Sequence, residues 1–78
     1  MAKEFKELSI REKMEIIAKE MIESNIYLKE ALSEFEKVFI EIALKIQKGN
    51  KFKASKMLGI HRNTLAGKMN SLKIKAKG

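Results

Sequence analysis

Residues 50–72 read Asn50-Lys51-Phe52-Lys53-Ala54-Ser55-Lys56-Met57-Leu58-Gly59-Ile60-His61-Arg62-Asn63-Thr64-Leu65-Ala66-Gly67-Lys68-Met69-Asn70-Ser71-Leu72. Lys51–Leu58 is predicted to be a short helix. Gly59 then supplies the left-handed turn that glycine alone adopts without strain. A second helix starts near Arg62, and Leu65, Met69 and Leu72 give it a core stripe at spacings of four and three. Ala54 and Ser55 are small where the second helix must cross closely, and Ile60 plugs the angle between the two. Two short helices joined by a Gly-containing turn of three or four residues form the helix-turn-helix pattern.

Upstream, Ser9-Ile10-Arg11-Glu12 carries the reciprocal Ser/Glu box that opens a helix. Apolar residues follow at Ile10, Met14, Ile17, Ala18, Met21 and Ile22, so a helix is predicted over Ser9–Ser24, stopped at Asn25. A longer one is predicted over Tyr27–Lys48, ending at Gly49-Asn50. Its Leu28, Leu32, Phe35, Phe39, Ile42 and Ile46 step by four and three in a heptad-like seam. Ala31, Val38, Ile40, Ala43 and Leu44 are apolar as well. A helix apolar on two faces must bury two faces, and this chain is too short to cover both. One face is therefore expected on the chain's own short helices and the other on a second subunit. The tail Lys73–Gly78 is expected to fray.

The chain has 78 residues, no Pro and no Cys. That is one domain, with no disulfide and no thiolate to hold a metal. A domain this small buries only about 60% of the surface its unfolded chain exposes, which favours oligomerisation. No apolar run approaches a membrane span, and charged Met1–Ser9 is no signal peptide. A cytoplasmic location follows as an expectation. Net charge is +7, unevenly spread: residues 1–41 carry net −3, whereas residues 42–78 carry ten Lys/Arg and no acid. Such asymmetry points to an anionic partner.

The face of the last helix opposite its core stripe presents Arg62, Asn63, Ala66, Gly67 and Asn70. Arg matches the guanine acceptors and Asn the adenine edge. The expected base readers are His61, Arg62, Asn63 and Ala66, although His61 also reads as a helix cap or plain surface residue. Gly67 either lets the backbone approach DNA or is a neutral occupant of a solvent face. Lys51, Lys53, Lys56, Lys68, Lys73 and Lys75 flank this unit as expected phosphate contacts, which set affinity and register but carry no sequence information.

Gly49-Asn50, Ala54, Leu58-Gly59-Ile60, Arg62, Thr64-Leu65, Lys68 and Leu72 resemble the Fis family of helix-turn-helix domains. Within it the chain is similar to the C-terminal DNA-binding domain of NtrC-type, sigma-54-dependent activators. The resemblance implies an all-α, four-helix domain over residues 1–78, with dimerisation helices over 9–48 and a helix-turn-helix over 51–73. It implies an intertwined homodimer whose interface would take in Met14, Ile17, Met21, Leu28, Leu32, Phe35 and Phe39. It also implies binding to a palindromic, enhancer-like double-stranded site, bent on binding. By position it assigns Asn50 and Thr64 to phosphates, adds Lys68 as a DNA contact, and makes Arg62 the strongest base reader. Ala66 and Gly67 stand where the family is commonly basic, and Phe52 where it has a small polar residue.

The residues hold no regulatory domain, ATPase domain or Gly-rich phosphate loop. The arm ahead of the first helix is short, which favours the DNA-binding end of an activator over a stand-alone, DNA-bending nucleoid protein. A membrane-surface peptide would need a continuous cationic helix, and Gly59 interrupts the basic half. With one His, one Tyr, no Cys and no Asp, no nucleophile–base pair can be assembled. No enzyme, cofactor, metal or small-molecule substrate is expected. A pure dimerisation or adaptor module would account for the long helix but not for the acid-free basic half.

Overall fold

The computed structural model describes residues 4–75. These residues are all-helical, without a strand: a 3-10 turn at Phe5–Glu7, then α1 (Ile10–Glu23), α2 (Leu28–Ile46), α3 (Lys51–Leu58) and α4 (Arg62–Leu72). They fall into two compact units divided between Ala31 and Leu32.

In the first unit the helix ends are set by the residues predicted to set them. The Ser9 hydroxyl accepts from the Glu12 N–H at 3.1 Å, and the Ser9 N–H donates to the Glu12 carboxylate at 2.8 Å. Such a cap stabilises a helix by about 1 kcal/mol. Asn25 ends the run with φ 62°, and the Ile26 N–H donates back to the Met21 carbonyl at 3.0 Å. The 3-10 turn was not expected. A second box, Glu4 with Glu7, holds it, and the Lys13 ammonium stands 5.4 Å over the Phe5 ring. No residue of α1 is buried; Ile10, Met14, Ile17 and Ile22 are all exposed.

The second unit contains the core. Ile40 and Leu44 of α2, Ala54 of α3, Leu65 and Met69 of α4, and Ile74 are buried together, with Leu58, Ile60 and Leu72 packed around them. α2 contributes one narrow stripe, Ile40, Ala43 and Leu44. Its predicted seam, Leu28, Leu32, Phe35, Phe39, Ile42 and Ile46, is exposed at every position. The helix thus has two apolar faces, and the chain's own core takes up only one of them.

Lys48 (φ 53°) and Gly49 (φ 84°) turn the chain out of α2. The expected stop at Gly49-Asn50 is therefore reached through a lysine in a left-handed conformation, which strains an L-residue by about 1 kcal/mol. Gly59, at φ 72°, ends α3, and the Ile60 N–H donates to the Ser55 carbonyl at 3.0 Å. Ala54 has no exposed surface, so α3 and α4 pack closely there. The buried Ser55 hydroxyl donates to the Phe52 carbonyl at 2.7 Å, which satisfies it without a partner from α4.

The expectation of fraying from Lys73 onward is corrected by the structure. Lys73 takes φ 57°, the Ile74 N–H donates to the Met69 carbonyl at 2.8 Å, and Ile74 is buried in the core. The left-handed step turns the chain back, and burying an isoleucine offsets the strain. Residues 76–78 of the predicted tail lie outside the described residues.

Candidate nucleic-acid interface

α4 has one buried stripe, Leu65 and Met69, and its other positions divide around it. At 100° per residue, Asn63, Gly67 and Asn70 lie opposite Leu65, Ala66 and Thr64 beside them, and Arg62 and Lys68 on the two flanks. All but Lys68 are exposed. The start of α4 is fixed by His61, whose Nδ1 accepts from the Asn63 N–H at 3.1 Å. His61 is therefore a helix cap. That bond places the ring proton on Nε2, which remains an outward donor. Asn50 does the same for α3: its Oδ1 accepts from the Lys53 N–H at 3.0 Å. Its amide NH₂ is left as the group able to meet a phosphate.

Lys68, expected at a phosphate, has a partner within the chain. Its ammonium lies 2.9 Å from the Glu36 carboxylate, so it ties α4 to α2. The cause is its flank position on α4, which faces α2 rather than the outer surface. The side chains are 37% and 44% exposed, so solvent screens the pair, worth about 1 kcal/mol at most. The other expected phosphate contacts, Lys51, Lys53, Lys56, Lys73 and Lys75, are exposed. Among the described residues none of them has a carboxylate within 4.0 Å.

A surface groove brings Phe52 and Lys56 of α3 together with Gly59, His61 and Arg62. The Phe52 ring is half exposed, and the Lys56 ammonium stands 5.1 Å over its centroid. In the sequence Phe52 stands out only as a departure from the family pattern. Its adjacency to Arg62 depends on the α3–α4 crossing, which no local pattern encodes. A Cβ added at Gly67 would meet nothing within 4 Å, so the chain itself imposes no need for glycine there. Of the expected dimer contacts, Met14, Ile17, Leu28, Leu32, Phe35 and Phe39 are exposed and Met21 is half-buried.

A family model for bacterial regulatory proteins of the Fis family matches residues 31–72, more than half of the chain. The chain belongs to the Fis family. The match covers nearly all of α2 and the whole of α3 and α4. No curated protein and no solved structure matches the chain. The helix-turn-helix of a Fis-family regulator is a double-stranded DNA-binding element. Among the described residues of this Fis-family chain, no helix is long and apolar enough to cross a membrane. No group of three or more His, Cys, Asp or Glu among them is arranged to hold a metal.

Proposed function

We propose that this Fis-family chain is the DNA-binding part of a sigma-54-dependent transcriptional activator, and that it binds a palindromic duplex site as a homodimer. The observation that carries the DNA reading is Arg62: it is exposed on the first turn of a capped α4, in one groove with Lys56, which has no carboxylate within 4.0 Å among the described residues. Arg62 reads a guanine, and Lys51, Lys53, Lys56 and Lys73 hold phosphates. The sigma-54 assignment rests on the resemblance of Gly49–Leu72 to that class of helix-turn-helix.

Selection of bound duplexes from random DNA tests the reading. The expected product is a palindrome with one Arg62-dependent guanine in each half. Arg62→Ala should lower discrimination at that base by about 1–3 kcal/mol. An unchanged site preference in the variant would remove Arg62 as the reader.

The homodimer is supported by the exposed seam on α2, where the Phe35 and Phe39 ring centroids stand 5.7 Å apart. A charge placed there would be desolvated on pairing. Phe35→Glu is therefore expected to sediment as a monomer with its helix content intact, whereas the parent chain sediments as a dimer. A parent chain that sediments as a monomer at micromolar concentration would end the paired model.

A further inference from the structure

The outer face of α4 has a composition that the reading of Arg62 does not use. Asn63 and Asn70 stand seven residues apart, two helical turns, and so share one side of the helix. Both are exposed, and neither side-chain amide is hydrogen-bonded to another described residue. Their separation along the axis is about 10.5 Å, which matches the rise of about three base pairs. Between them lie only the Ala66 methyl and Gly67. Arg62 and Lys68 sit on the flanks, Lys68 drawn away to Glu36. Nothing longer than a methyl separates the two amides from an approaching surface.

We propose that Asn63 and Asn70 form a pair of adenine readers, so that each half-site carries A·T pairs at two positions about three base pairs apart. This rests on the DNA-binding reading above and gives it a sequence class. An Asn side chain donates from its NH₂ to adenine N7 and accepts at Oδ1 from the adenine N6 amino group in the major groove. Asparagine is short, so both contacts require the helix backbone to lie close to the base edges. Gly67 permits that approach. The Ala66 methyl is placed to meet a thymine methyl.

The test is random-duplex selection with the full chain, its Asn70→Ala variant and its Gly67→Ala variant, each melted in parallel to show that it is folded. The parent should select A·T at both positions. Asn70→Ala should lose about 5- to 150-fold of discrimination at one of them and keep the other. Gly67→Ala should melt no lower than the parent, because the added Cβ meets nothing, and should bind the selected site more weakly. An Asn70→Ala protein with the full preference overturns the proposal, and equal binding by Gly67→Ala overturns the close approach. If the parent selects an Arg62-dependent guanine without the spaced A·T pairs, the adenine readers fall and the DNA-binding reading stands. If it selects no duplex, both fall.

Discussion

Raising the salt from 50 to 200 mM is expected to weaken binding to the selected duplex by about 10³–10⁵. Of the exposed lysines with no carboxylate within 4.0 Å among the described residues, four, Lys51, Lys53, Lys56 and Lys73, are the ones proposed above to hold phosphates. Two protomers on one site would neutralise about eight phosphates, giving a log–log slope of about −7. Titration of a fluorescent duplex at four salt concentrations measures it. Lys56→Ala should make the slope shallower by about two in the dimer, one phosphate for each copy. Lys68→Ala should leave it nearly unchanged, because that ammonium is held by Glu36. A flat response in the parent chain would remove the phosphate-binding surface altogether.

Leu65→Ala is expected to lower the stability of the fold by about 2–5 kcal/mol. Leu65 has no exposed surface and lies among Ile40, Leu44, Ala54, Met69 and Ile74. Truncation removes its transfer free energy and leaves a cavity that two short helices cannot close. Small domains are stable by only about 5–15 kcal/mol, so the loss reaches the order of the total. Denaturant unfolding followed by circular dichroism, at one protein concentration throughout, reads the effect. Exposed Asn63→Ala serves as the control and should stay within about 0.5 kcal/mol. Equal midpoints for Leu65→Ala and the parent would mean that α4 does not anchor this core.

Much of the fold was legible because its signals are local. Ser9 with Glu12, Asn25, Gly49-Asn50 and Gly59 punctuate the helices through bonds spanning only a few residues, and each does so in the structure. The two-faced character of α2 was legible from its apolar steps. Which face the chain itself would bury was not legible from that spacing, and only the family resemblance assigned Leu28, Leu32, Phe35 and Phe39 to a partner. Both stripes have helical spacing, and only contact with α3 and α4 distinguishes Ile40, Ala43 and Leu44 from Phe35 and Phe39. The candidate site divides in the same way. Asn63 emerges on the outer face as periodicity requires, whereas Arg62 stands on its flank, Asn50 and His61 spend one atom each on capping, and the groove at Phe52 needs the helix crossing.

By itself the sequence determined the helices, their stops, and a basic, acid-free half with Arg62 at the start of its last helix. These follow from backbone preferences and periodicity, which act over a few residues. The tertiary structure alone decided that Ile74 belongs to the core and that Lys68 answers to Glu36, thirty-two residues away. Packing and ion pairing act across space, and one lysine among many carries no mark in the sequence of which anion it will meet.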